Sequence, residues 1–188
     1  MHKNYSISDE ELNIIAYQYR ILGDFLYHYR SYKVLHKNIQ KLIGNNEFWV
    51  YTINAHLMQC VNYWCMVFGS HKNNHTHWKK LSFVNHEDNF EKRLLIDLGI
   101  DSNQWLGIWK KLTDFRNKFT AHRDINFSKP VPHLEYSYKS ALIYDRWLNE
   151  DIFPNTMGVV NNASLKYFEE DYVNKIDEEM KKLYKVPE

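Results

Sequence analysis

Proline is missing from the first 129 residues of this 188-residue chain; its four prolines stand at 130, 132, 154 and 187. Proline locks φ and removes the amide proton that a helix interior uses, so its absence leaves that stretch open to long helices. Apolar residues recur three and four apart through the same stretch, the period of a helix buried along one face. The sequence shows neither the two-residue alternation of strands nor an internal repeat. The expected fold class is all-α: an up-and-down helical bundle with appended helices, in one domain over residues 1–188.

Local signals place the helices. Ser8 with Glu11 is a capping box, and Leu12, Ile15, Ala16, Tyr19, Leu22 and Leu26 follow at helical spacing. This helix is expected to run to Leu42, with Gly44-Asn45 as its stop. A second, capped by Asn46, ends near Gly69. Residues 70–85 are polar and His-rich and read as a loop with one turn around Trp78. A third helix fits Glu87 to Leu98, stopped by Gly99, and a fourth runs from Asp101 or Ser102 to about His122. Residues 123–134 form a loop. A fifth helix fits Tyr136 to Asn149, and a linker around Pro154 and Gly158 leads to a last one, from Ser164 to about Tyr184. The bundle core is expected over about residues 8–150, with the last helix packed on it.

Hydrophobic residues make up 44% of the chain and charged residues 25%, with six Trp, 14 Tyr and 10 Phe, which excludes general disorder. A formal net charge of +1 excludes a polycation, so contact with nucleic acid would need a local basic patch. Cys60 and Cys65, about 140° apart on a helix, read as reduced core residues of a cytoplasmic protein. Met1 to Glu11 carries no signal-peptide pattern. The run from Phe48 to Phe68 lacks formal charge but contains Thr52, Asn54, His56, Gln59 and Asn62, costly groups in hydrocarbon. It is expected to be a buried central helix, with no membrane as partner. Its polar row Thr52, His56, Gln59 and Tyr63 follows i, i+4, i+7, i+11 spacing. Such a row is either a solvated edge or satisfied core network, or the polar wall of an active cleft.

The fourth helix is the most informative. Trp105, Ile108, Trp109, Leu112, Phe115 and Phe119 form an apolar stripe that runs from about 280° through zero to about 40° when Trp105 is set at zero. Arg116 falls near 20°, inside the stripe by the same count. A guanidinium aimed at a core must be paired or must line a site, because it cannot escape by losing its proton. Asp24 and Glu47 are possible structural partners. The string continues Arg116-Asn117-Lys118-Phe119-Thr120-Ala121-His122-Arg123-Asp124, with five residues between Arg116 and His122.

Arginine, a polar residue, then histidine at the end of a long helix in a small helical protein resembles the Arg-x4-6-His signature of the HEPN superfamily. The Ala-His-Arg-Asp ending and the aromatic helix before it most resemble the phage abortive-infection branch. The resemblance implies a metal-independent endoribonuclease of toxin or phage-defence type, needing no cofactor. It also implies a homodimer in which two motifs share one active cleft. Arg116, Asn117 and His122 would be catalytic, and an antitoxin protein is a possible partner. Some members of the superfamily have lost catalysis and bind nucleotide, RNA or a protein, which is the alternative reading here.

The residue types suit the chemistry. RNA carries its own nucleophile in the 2′-hydroxyl; cleavage needs a base, an acid for the leaving 5′-oxygen and positive charge on the phosphorane. Histidine titrates near neutral pH, and arginine's planar fork holds two phosphate oxygens. Lys118, Thr120 and Arg123 are candidates for RNA phosphate contacts. They lie among Lys110, Lys111 and Lys129, with Asp114 and Asp124 opposed. On a straight α-helix, Arg116 and His122 stand about 9 Å and about 120° apart, so a bend or a second subunit must bring them to one phosphate.

Other groups carry less. His71, His75 and His77 invite a metal reading, but they read better as surface histidines, and no metal is expected. Tyr17, Tyr27, Tyr29 and Tyr32 include possible interface positions. The last helix, acidic early and lysine-rich late, reads as a solvated amphipathic helix.

Overall fold

The fold comes from a computed structural model that describes residues 6–85, 89–121, 130–156 and 164–184. Helix α1 (Asp9–Asn38) begins as the sequence requires. The Ser8 hydroxyl accepts from the Glu11 amide, and the Glu11 carboxylate accepts from the Ser8 amide at 2.9 Å. The helix stops short of Leu42. Ile39–Lys41 tightens into a 3-10 turn, and Leu42 continues extended and buried. The Ile43 amide donates to the Leu183 carbonyl at 3.0 Å, tying this link to the far end of the chain. Gly44, at φ +89°, makes the reversal that a side chain would strain. Helix α2 (Asn46–Phe68) is capped by Asn45, whose side chain accepts from the Glu47 amide at 2.7 Å. With so short a connection, α1 and α2 form an antiparallel hairpin.

Helix α3 (Phe90–Leu98) ends at left-handed Gly99. Helix α4 (Ser102–Phe115) opens with a second capping box, from Asp101 and Gln104. Helices α5 (Glu135–Arg146) and α6 (Leu165–Leu183) follow. Both α4 and α5 pass into π winding, over Arg116–Ala121 and Trp147–Ile152. Among the described residues there is no strand, and no helix is long and apolar enough to cross a membrane.

The core is aromatic: Phe25, Trp64, Phe68, Phe90, Tyr144 and Trp147 are fully or almost fully enclosed. Several polar groups within it are paired, while the buried Ser137 hydroxyl has no partner among the described residues. Gln18 accepts from the Tyr144 hydroxyl at 2.6 Å and donates to the Thr76 carbonyl at 3.0 Å; the Trp64 indole donates to Ser140 Oγ at 2.9 Å. A second cluster joins Leu35 and Trp49 to Ile176 and Met180, and so docks α6 on the hairpin.

The segment 70–85 departs most from its reading as a polar loop. It folds into two 3-10 turns, Trp78–Lys80 and Ser82–Asn85, and buries Trp78, Leu81 and Phe83 in the main core. The Ser82 amide donates to Glu11 Oε1 at 2.7 Å. Burial works to raise the Glu11 carboxyl, but its hydrogen bonds from Ser8 and Ser82 outweigh burial and hold it at about 2. His77, expected at the surface, is 2% exposed. Its Nε2–H donates to the Gly69 carbonyl at 2.9 Å and its Nδ1 accepts from the Lys79 amide at 3.0 Å. Both ring nitrogens are occupied, which leaves no lone pair for a metal.

Candidate active site

Helix α4 is fixed against the end of α2. Trp105, Ile108 and Trp109 are half-buried, Leu112 and Phe115 are buried, and Phe119 stacks on Phe115 with ring centres 4.9 Å apart. The Trp109 indole donates to the Phe68 carbonyl at 2.8 Å. Thr113 Oγ1 turns back on the Trp109 carbonyl at 2.9 Å, a bond of the kind that bends helices. Three residues later the winding changes from α to π.

Arg116 stands at that change. Its Cα belongs to the inward stripe, but the residue is exposed. Arginine's long stem carries the charged head out of the stripe. There Nη1 donates to Asn117 Oδ1 at 2.7 Å. Asn117 and Lys118 are exposed beside it, as are Lys110 and Lys111 on the helix before. The Asn117 carbonyl oxygen is thus engaged, and its amide NH2 remains available to donate. The Arg116 charge is felt at Cys65, whose thiol burial pushes up to about 12 while the guanidinium pulls it down. Glu47, considered as an Arg116 partner, lies 18 residues before Cys65 on α2, about 27 Å along the axis, and is too far. Asp24, the other, places its charge on His28. His122 and Arg123, and the side chain of Thr120, lie outside the described residues. The straight-helix separation of Arg116 and His122 no longer applies, since α winding ends at Phe115.

The polar row on α2 divides. Thr52 bonds back to the Phe48 carbonyl at 2.8 Å, and Gln59 is exposed. His56 and Tyr63 instead meet α1. His28 Nδ1 lies 2.8 Å from His56 Nδ1, and the Tyr63 ring stacks on His28 at 5.6 Å. So short a contact needs one proton between two otherwise neutral rings. Burial lowers both histidines below their ordinary value; Asp24 opposes the shift at His28, and the neighbouring His28 adds to it at His56. His56 and Cys65 stand about 180° apart on α2, so the pair faces away from the Cys65 side where Arg116 lies. The sequence reading did not single out His28. Its signal was hairpin register: positions 28 and 56 are equidistant from Leu42.

Among the described residues, no group of three or more His, Cys, Asp or Glu is placed to hold a metal ion. An aromatic cleft of about 360 Å³ opens beside the first half of α4, between Trp78, Phe90, Trp105 and Trp109. Compared with protein-family models, with curated proteins and with solved structures, the chain matches none.

Proposed function

We propose that this protein is a HEPN-type endoribonuclease that cuts RNA without a metal. The observation that carries the reading is Arg116. It is an exposed arginine, bonded to the asparagine beside it, at the winding change of a helix whose other stripe positions face the core. That arrangement places a planar cation at the surface, six positions before His122 in the chain, and a planar guanidinium suits a phosphate.

In the proposed reaction a base, assigned to His122, takes the proton of the ribose 2′-hydroxyl. The 2′-oxygen attacks phosphorus, and the P–O5′ bond breaks as the 5′-oxygen takes a proton from a protonated imidazole, assigned to His122 of the second copy in the shared cleft. The products are a 2′,3′-cyclic phosphate and a 5′-hydroxyl. Arg116 holds the phosphorane oxygens, where charge develops, and Asn117 fixes Arg116 and donates its NH2 to the phosphate. Lys118, Thr120 and Arg123 extend the contact along the strand. A second copy supplies its own motif to the same cleft, which makes the homodimer part of the proposal. A toxin or phage-defence role, with an antitoxin as partner, follows from the resemblance.

The test is cleavage of total RNA and labelled oligonucleotides by purified protein in EDTA, with His122→Ala and Arg116→Ala beside it. Cutting lost in both variants, with cyclic-phosphate ends from the parent, is the expected result. Folded parent protein that cuts none of these RNAs yet binds them moves the reading to the non-catalytic module.

A further inference from the structure

We propose that the groove between α1 and α6 is a second anion site, which holds the phosphate backbone of a single RNA strand. The choice of RNA as polyanion rests on the ribonuclease reading; the charge argument does not. The groove encloses about 510 Å³ and is lined by Arg30, Lys33, Lys37 and Lys181, with Asp177 as the only carboxylate among the described residues. Four cations against one anion give a local charge of +3, where the whole chain carries +1.

Three observations separate this groove from an ordinary solvated face. Elsewhere on α6 the lysines are neutralised: Lys166 by Glu170, Lys175 by Asp171 and Lys182 by Glu179. Lys181 is exposed, as are Lys33 and Lys37, and none of the three has a hydrogen-bond or ion-pair partner among the described residues. No acid follows Asp24 on α1, so nothing on that helix offsets the row Arg30, Lys33, Lys37. Asp177 accepts from Arg30 Nη2 through both oxygens at 3.1 Å but leaves the buried Arg30 Nε–H without an acceptor. The ion pair therefore does not use all of the hydrogen-bonding capacity of this guanidinium.

The shape selects among polyanions. Arg30, Lys33 and Lys37 lie on one face of α1, about 4.5 and 6 Å apart along the axis, a row suited to successive phosphates of one strand. The groove is recessed between two helices, with Val34 and Met180 in its lining, a shape that suits a single strand better than a flat anionic bilayer. Lys33 also borders a smaller recess of about 220 Å³, where half-buried Tyr32 and exposed His133 offer rings for an unpaired base. Phosphates in the groove and a base in that recess describe one single-stranded ligand.

The experiment is fluorescence anisotropy with a 5′-labelled 20-nucleotide single-stranded RNA and full-length protein carrying His122→Ala to suppress turnover. Lys33→Glu, Lys37→Glu and Lys181→Glu are combined in one variant. Lys72→Glu, Lys92→Glu and Lys166→Glu, all at exposed positions, form a control with the same change in net charge. The groove variant should bind at least about tenfold more weakly, and its slope of log K against log salt should shrink by about 2. The control should stay within about threefold of the parent. A Lys→Gln triple at the groove positions, with a matching circular-dichroism melt, separates loss of charge from loss of fold. Equal weakening in groove and control variants, or none in either, overturns the groove. Binding to phosphatidylserine vesicles through these lysines, without RNA binding, overturns it too. If protein without the His122 substitution fails to cut RNA and the groove variant still loses binding, the groove stands and the ribonuclease reading falls. If cutting depends on His122 and the groove variant binds RNA like the parent, only the groove falls.

Discussion

Two helices of this protein end in the same irregular winding, and the chain uses the two ends differently. At the end of α5, the π turn Trp147–Ile152 is internal. Trp147, Leu148 and Ile152 are buried, and Asn149 donates to the Asp145 carbonyl, to Asp145 Oδ1 and to the Tyr19 hydroxyl, each at 3.0 Å. At the end of α4, the π turn Arg116–Ala121 is at the surface and displays Arg116, Asn117 and Lys118. Winding of this kind is often associated with functional sites. Here it is not sufficient by itself. In one place the wider turn seats a tryptophan in the core; in the other it presents polar groups to solvent. The surroundings decide which.

The strongest way to break that comparison is to remove the buried anchor. Trp147→Ala deletes a ring packed against Phe83, Phe90 and Tyr144. It should cost about 3–5 kcal/mol in urea unfolding. A loss below about 1 kcal/mol would mean that the α5 turn is not structural in the sense argued. Next in size is the opposite behaviour at α4. Arg116→Ala should leave the unfolding midpoint nearly unchanged, within about 0.5 kcal/mol, because the residue is exposed. Cleavage of RNA should fall by about 100- to 1000-fold, the usual effect of removing one charge-stabilising donor. Equal damage to stability from both substitutions would erase the distinction between the two turns.

The sequence was most legible where hydrogen bonds are local. Ser8 with Glu11, and Gly99 after Leu98, mark helix ends because their partners lie within a few residues. What escaped depends on distant contacts. Glu11 completes its bonding at Ser82, His77 at Gly69, and His28 meets His56 only through the register of the α1–α2 hairpin. The π turns escaped because a 3.6-residue hydrophobic period marks the face of a helix, not a change in its hydrogen-bond step. The angular count left the direction of the Arg116 side chain open, because it places the Cα and a long side chain need not follow it.

The buried half of the molecule should also carry its own pH signature. His77 is lowered to about 4, chiefly by burial, with its bond to the Gly69 carbonyl opposing. Its folded value lies below the ordinary 6.5, so the unfolded chain takes the proton first. Stability is full above about pH 6.5 and falls as pH drops toward 4, by on the order of 3 kcal/mol. His28 and His56 are lowered as well and act in the same direction. Glu11, held at about 2 against an ordinary 4.5, adds a separate loss between those values. Urea unfolding at pH 7.5, 5.0 and 3.0 reads both windows. In His77→Gln, which cannot take the proton, the drop between pH 7.5 and 5.0 should be smaller than in the parent. An equal drop in both proteins would remove His77 as its source.

The smallest effect is the most discriminating, because it falls within the exposed turn. Asn117 holds Arg116 through its carbonyl oxygen at 2.7 Å, and both residues face solvent. Asn117→Ala should therefore leave stability within about 0.5 kcal/mol. It should lower cleavage by about tenfold, the worth of one positioning hydrogen bond. Asn117→Asp should be worse than alanine, since it keeps an acceptor for Arg116 but loses the NH2 donor and sets a negative charge beside the phosphate. That order, parent then alanine then aspartate, follows only if Asn117 serves the guanidinium and the phosphate together. Alanine matching the parent would reduce the pair to a surface contact. A melted α4 end in the alanine variant would instead make the exposed turn as structural as the buried one, since a side chain that sustains its own backbone is doing there what Asn149 does at the end of α5.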